Sequence, residues 1–251
     1  MACYVGLVGL IVGSYLNVLI HRLPRGQSTV LPRSRCPRCR AAIAARDNVP
    51  LFSYLLLRGR CRACGARISW RYPAVEAGTA ALFMGCYARF GATPSMVVGC
   101  VLCALLLALA VIDAQHFLLP DKLTYPGILI GLAGSYFASW TTPASSALAT
   151  LCGALVLLGL IGLWYLVRRQ LAMGFGDPKM MAMIGAFLGV RLAIFTLFLA
   201  SLLGAAIGLV LLLAGRANWS SRLPFGIFLA AGAALALFFG EPLVEAYLGM
   251  F

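Results

Sequence analysis

The sequence predicts an all-α fold, a polytopic bundle of transmembrane helices, and three observations carry that prediction. Of the 251 residues, 62% are hydrophobic and 11% charged, with a mean hydropathy of +0.95, which is too apolar for a soluble domain of this length. Apolar runs recur near the roughly 20 residues that a helix needs to cross about 30 Å of hydrocarbon. The runs are long and unbroken and lack the polar alternation of a barrel wall, so they are helices.

Taken in order, eight spans are expected: residues 2–21, 73–91, 95–114, 123–140, 145–167, 177–190, 192–215 and 224–247. The first lacks a basic leader and is followed by Asn17, His21 and Arg22 in place of a small-residue cleavage site, so it reads as a spanning helix and not a signal peptide. Charge supports the count. Twelve of the twenty basic residues lie between Arg22 and Arg71, and eight spans put Lys122, Arg168, Arg169, Lys179, Arg216 and Arg222 on the same side. Only Arg89 and Arg191 fall opposite, an asymmetry of eighteen to two that marks the basic side as cytoplasmic and both termini as extracytoplasmic. The expected organisation is a first helix (1–21), a cytoplasmic loop domain (22–72) and a seven-helix membrane domain (73–251). The arginines read as topology signals facing anionic membrane lipids, with no nucleic-acid-binding fold in sight.

The loop holds Cys36-Pro-Arg-Cys39 and, after twenty-one residues, Cys61-Arg-Ala-Cys64. Two such pairs supply four thiolates for a tetrahedral zinc ion, each pair forming one tight knuckle. A redox pair or disulfides are the competing readings, which a reducing cytoplasmic setting disfavours. Four cysteines leave no open coordination position, so the zinc is expected to be structural. Cys3, Cys86, Cys100, Cys103 and Cys152 read as small packing residues within helices.

Only seven acids are present. Asp47 lies in the loop, Glu76 near the start of the second span, and Glu241 and Glu245 near the end of the last. Asp113, Asp121 and Asp177 remain, and a carboxylate in or near a span is a functional candidate by default. Asp113 ends the third span and Asp177 opens the sixth, so both are expected at the cytoplasmic boundary. Two carboxylates brought together there cannot both ionise cheaply; sharing a proton, one can activate water as base while the other donates to a scissile carbonyl. Asp121, after Pro120, reads as a helix N-cap, and the same role competes for Asp177. Gly174 and Gly176 favour more than a cap there, because they leave room for unusual dihedrals and for an extended peptide to approach. The sixth span, about fourteen residues and roughly 21 Å long, is short enough to place Asp177 below the surface in a pocket open to water.

These residues carry a resemblance. Gly13-Ser-Tyr-Leu-Asn-Val-Leu-Ile-His-Arg-Leu-Pro24, the paired C-x-x-C, Asn48-Val-Pro-Leu-Phe-Ser-Tyr54, Ile68-Ser-Trp-Arg-Tyr-Pro-Ala-Val-Glu76, Ile112-Asp-Ala-Gln-His-Phe-Leu-Leu-Pro-Asp121, Gly174-Phe-Gly-Asp177 and Pro224-Phe-Gly226 together resemble a type IV prepilin peptidase. The resemblance covers nearly the whole chain. It implies a bacterial inner-membrane aspartic protease that removes the basic leader from type IV prepilins and type II secretion pseudopilins, with Asp113 and Asp177 as the catalytic pair. It also implies N-methylation of the new terminus with S-adenosylmethionine, for which Glu76 and the cysteine knuckles are the candidates. The Arg22 to Arg35 segment is shorter than in many members of that family.

Two other classes compete. A proton-coupled transporter would use Asp113 and Asp177 as a relay, but would show repeats and helices broken at mid-membrane. A non-enzymatic assembly scaffold would dock partners through the loop and survive loss of both acids. His116, His21 and Lys179 read as residues of the membrane edge, and Trp70, Trp140, Trp164 and Trp219 as interfacial anchors. The sequence sets no oligomeric state.

Overall fold

The computed structural model describes residues 1–31, 34–169, 173–216 and 223–248. Arg33, Trp219 and Arg222 lie outside the described residues, as does the side chain of Glu245. Among the described residues the structure is helices and turns, with two isolated β-bridges and no strand. The backbone forms two compact units, Met1–Ala92 and Thr93–Phe251.

In the first unit, α1 (Ala2–Arg22) packs along α3 (Arg71–Phe90), and between them in sequence runs the loop with its short helix α2 (Phe52–Leu56). Small residues set the approach of α1 and α3. A Cβ on Gly9 would lie 2.7 Å from Ala80 Cα, and one on Gly13 would lie 2.8 Å from Glu76 Cα. Backbones this close favour glycine, as at helix contacts in membranes.

The second unit contains α4 (Pro94–His116), α5 (Asp121–Gly134), α6 (Pro143–Arg168), α7 (Gly176–Leu213) and α8 (Phe225–Leu248). Both α4 and α6 begin with threonine at the N-cap and proline in the first turn, where a missing N–H costs nothing. The centre of the unit is the first half of α7. Every residue from Met180 to Gly189 is buried, with α5 and α6 packed closely on it, while α8 meets the second half of α7 at Leu192 and Thr196. A helix apolar on all faces is one wrapped by others.

One expected boundary is corrected. The fourth span, expected over 123–140, is helical only to Gly134 because the chain then turns and is stapled by Ser95: its Oγ donates to Phe137 O (3.0 Å) and accepts from Ser139 N (3.0 Å). The expected division between the sixth and seventh spans is present, because the non-helical backbone at Gly189 (φ 71°, ψ 179°) splits Gly176–Leu213 into two helices. The break frees backbone groups inside an apolar bundle, and side chains take them up: Trp140 Nε1 donates to Phe187 O (3.0 Å), and Val190 N donates to Ser145 Oγ (3.0 Å). Trp140 is therefore a clamp on this break as well as a residue near a helix end.

Among the described residues, five stretches are long and apolar enough to cross a membrane: Ala2–Arg25, Pro94–His116, Pro143–Arg168, Gly176–Leu213 and Phe225–Val244. Their outer surfaces agree. Leu151, Leu155, Leu163 and Trp164 along α6 are exposed, an apolar face that hydrocarbon covers and water would not.

Candidate active site

Asp113 lies in the last turns of α4. That helix ends at Phe117, which adopts the left-handed conformation (φ 50°) and donates its N–H to Asp113 O at 2.9 Å. Asp177 lies in the first turn of α7, its N–H turned to Gly174 O at 3.3 Å. Packing of the helices brings the two carboxylates into direct electrostatic interaction, although sixty-three positions separate them in the chain. Both are buried, at 5% and 7% exposure.

A third element completes the surroundings. The first-turn N–H groups of Gly226 and Ile227, at the start of α8, face the Asp113 carboxylate. A helix N-terminus favours a negative charge. Among the described residues Asp113 Oδ2 is nevertheless buried with no hydrogen bond of good geometry. Gly226 is required by this approach, since its Cβ would stand 2.7 Å from that same oxygen.

The two glycines before Asp177 differ. Among the described residues, a Cβ on Gly174 would meet only Gly176 N, at 3.9 Å, whereas one on Gly176 would press on Leu119 Cβ at 2.9 Å. Leu119 also touches the place where a Gly226 Cβ would be, at 3.2 Å, so this side chain from the α4–α5 connection props both glycines. Leu119 and Gly226 were not singled out from the sequence. The visible signal was Pro224-Phe-Gly226, a proline and a glycine at a helix start.

The cap expected of Asp121 is not formed. Pro120 occupies the N-cap of α5, and Asp121 Oδ1 instead accepts from Lys179 Nζ at 2.7 Å. Lys179 thus balances a charge, beyond marking the membrane edge. At α7 the N-cap is Phe175, and Asp177 lies beyond it, in the first turn.

The second constellation lies in the first unit. The ligand atoms of Cys36, Cys39, Cys61 and Cys64 all fall within 4.8 Å of one another, a set that can hold a metal ion. The knuckles have the same construction: Cys36 N donates to Ala41 O (3.0 Å) and Arg40 N to Cys36 O (2.9 Å), while Cys61 N donates to Ala66 O (2.8 Å) and Gly65 N to Cys61 O (2.9 Å). Each needs a left-handed residue after its second cysteine, Arg40 (φ 59°) in one and Gly65 (φ 67°) in the other.

Backbone N–H groups of Cys39 and Arg38 aim at Cys36 and pull its thiol down to about 6. Cys64 feels the N–H of Ala66 in the same sense, but burial and the three neighbouring thiols push it up to about 11. Four thiolates so close repel one another, and a divalent cation relieves that repulsion; the donor set fits zinc. Asp47, held below the usual carboxylate range by the Arg62 guanidinium, joins the segment between the knuckles to the second one through a fork of 2.7 and 2.9 Å. Of the remaining cysteines, Cys86, Cys100 and Cys103 are buried in helices, whereas Cys3 and Cys152 are exposed on theirs.

Glu76, nearly buried on α3, takes the N–H of Leu51 on Oε2 at 2.9 Å. Leu51 needs that partner: with φ 58° and ψ −49° it is the centre of a tight turn closed by Phe52 N and Pro50 O at 2.6 Å, a strained geometry for a branched side chain.

Two family descriptions match the chain in order. Residues 7–90 match the bacterial peptidase A24 N-terminal domain, and residues 100–209 match the type IV leader peptidase family. A Burkholderia pseudomallei (strain 1026b) protein named prepilin leader peptidase/N-methyltransferase is 38% identical over 260 residues, covering 94% of this chain and 84% of that protein. This chain belongs to the type IV leader peptidase family. Proteins of the same name from Myxococcus xanthus (44% over 220 residues, 86% of this chain and 65% of that one) and Pseudomonas aeruginosa (37% over 265 residues, 96% and 91%) extend the leader peptidase match. No solved structure matches the chain.

Proposed function

We propose that this protein is a bifunctional membrane enzyme, an aspartic endopeptidase that removes the leader from prepilins and a methyltransferase that modifies the new N-terminus. The observation that carries the peptidase half is the meeting of Asp113 and Asp177, two buried carboxylates on helices distant in sequence, in a chain of the leader peptidase family.

The pair acts as a unit sharing one proton. The ionised carboxylate takes a proton from water as its oxygen attacks the scissile carbonyl, and the protonated one donates to the carbonyl oxygen. Collapse of the tetrahedral intermediate returns a proton to the departing amine, giving a carboxylic acid and a free N-terminus. Gly174, with open space beside it, leaves passage for an extended substrate, and Gly176 lets Leu119 close under the pair.

The substrate class extends to type II secretion pseudopilins. Their basic leaders lie in the cytoplasm and their apolar stems in the bilayer, so the bond to be cut lies at the cytoplasmic boundary of the inner membrane, where we place Asp113 and Asp177. An eight-crossing topology with the basic loop inside satisfies the charge asymmetry. In this reading the loop, residues 22–72, holds zinc on Cys36, Cys39, Cys61 and Cys64 as a structural ion, and the membrane helices carry the peptidase.

The methyl donor is S-adenosylmethionine, whose sulfonium supplies an electrophilic methyl group. Glu76 is the candidate residue for that step, because of the two carboxylates that line the large cavity of the first unit, Asp47 and Glu76, it is the one on α3 and not committed to an arginine. The test is to incubate purified protein with a prepilin and S-adenosylmethionine and to read the products by mass spectrometry. Leader removal followed by addition of one methyl group is expected. An intact prepilin would refute the peptidase, and a cleaved but unmethylated product would refute the second activity alone.

A further inference from the structure

We propose that α2 is a membrane anchor: its outward face, Phe52, Leu55 and Leu56, sits in the lipid surface beside α1 and α3. The helix is then a wall between the bilayer and the cavity of the first unit. These three side chains stand at positions i, i+3 and i+4, so they share one face of the helix. Each is exposed, at 63%, 73% and 63%. The other face is committed to the protein. Ser53 is buried, its Oγ accepting from Val49 N (2.9 Å) and donating to Arg46 O (3.0 Å), and Tyr54 Oη donates to Ile68 O (3.4 Å). Ser53, Tyr54 and Leu57 line the cavity, whereas Phe52, Leu55 and Leu56 do not.

What covers the outward face follows from the level at which α2 is seated. Leu51, at its start, donates its N–H to Glu76 Oε2 at 2.9 Å, and Glu76 lies on α3, six residues beyond Trp70. At about 1.5 Å per residue that bond is roughly 9 Å along the helix from Trp70. On the facing helix Glu76 is level with Gly13, whose Cβ would lie 2.8 Å from Glu76 Cα. Nine residues, roughly 14 Å, separate Gly13 from Arg22 at the end of α1. The loop therefore folds back along the helices, and α2 begins beside the apolar stretch Ala2–Arg25. Near that level α1 turns Ile11 and Tyr15 outward, a surface that hydrocarbon covers.

The neighbouring residues fit a lipid boundary. Trp70 is 76% exposed, and an indole is at home where headgroups meet acyl chains. Measured from there, the 9 Å to Glu76 falls within the depth of about 5–10 Å to which an interfacial helix buries its apolar face. Arg58, Arg60 and Arg67 follow α2 in the chain and are exposed. Anionic headgroups attract such cations, whose long stems reach the headgroups from an apolar surface.

The test places photoreactive p-benzoylphenylalanine at Phe52, at Leu56 or, for comparison, at Gln27, an exposed residue beyond the end of α1. The full chain is reconstituted into vesicles of phosphatidylethanolamine and phosphatidylglycerol and irradiated with and without prepilin. Mass spectrometry then reads lipid adducts, and gels read protein adducts. Lipid adducts at Phe52 and Leu56 are expected to exceed those at Gln27 by about tenfold or more. Both positions are exposed, so unfolding midpoints close to wild type are expected, and either position alone carries the comparison. Lipid adducts no more frequent than at Gln27 would overturn the inference. A dominant adduct with a second copy of the chain, or with the prepilin, would also overturn it by showing that the face is a protein interface.

Discussion

The carboxylate pair of the second unit and the thiol cluster of the first are built in opposite ways. Asp113 and Asp177 are brought together by helix packing, and their support comes from residues distant in the chain, Leu119 and Gly226. The four thiols are brought together by two local turns of the same design, on an exposed loop, with backbone N–H groups as their main support. The first arrangement buries charge and leaves an oxygen without a bond; the second gathers soft donors that a metal would neutralise. In the proposed reading the first reacts and the second holds a metal ion.

This contrast is tested most severely at the carboxylates. Asp113→Asn or Asp177→Asn is expected to lower prepilin cleavage by about 10³-fold or more, because each removes a proton-transfer group that the other cannot replace. Asp121→Asn, which breaks only the exposed contact to Lys179, is expected to cleave within about twofold of wild type. The same single-turnover assay reads all three.

Next in size is Gly226→Val. Even the first carbon of the new side chain would stand 2.7 Å from Asp113 Oδ2, so the carboxylate or the start of α8 must move. A displacement of that order is expected to cost about a hundredfold in cleavage, with metal content unchanged. Loss of metal with cleavage intact would show that the long-range support has been misplaced.

On the other side of the comparison, Cys36→Ser is expected to remove the zinc measured by elemental analysis, since it takes away the thiol most readily ionised and leaves three ligands. The smallest effect is at the turn itself. Arg40 holds a left-handed conformation that Gly65 holds in the matching knuckle, so Arg40→Gly is expected to stabilise the loop by about 1 kcal/mol in thermal unfolding of the metal-loaded protein. Gly65→Arg is expected to shift it by a similar amount the other way. Equal and opposite shifts would sharpen the claim that the knuckles are equivalent.

The difference in construction also explains what was legible in the sequence. The thiol cluster could be read because its geometry is local: C-x-x-C followed by a left-handed residue is a short-range pattern. The helical class was equally plain, since hydropathy is a sum over neighbours. Gly189 was legible as the gap between two expected spans, but the way the break is held, by Trp140 and Ser145, depends on packing. The pairing of Asp121 with Lys179 was missed for the same reason: capping is the local rule, and a lysine fifty-eight positions away overrode it. Asn17 stood in view as the polar residue of an apolar run. Only packing of α1 on α3 reveals that its amide is half satisfied.

The central claim is that Asp113 and Asp177 work as one device, and the most direct measurement is a double-variant cycle on prepilin cleavage. The account predicts that Asp113→Asn with Asp177→Asn loses no more activity than either change alone, since the second has nothing left to remove. Losses that multiply, or a single variant that still cuts at a substantial fraction of the wild-type rate, would contradict it.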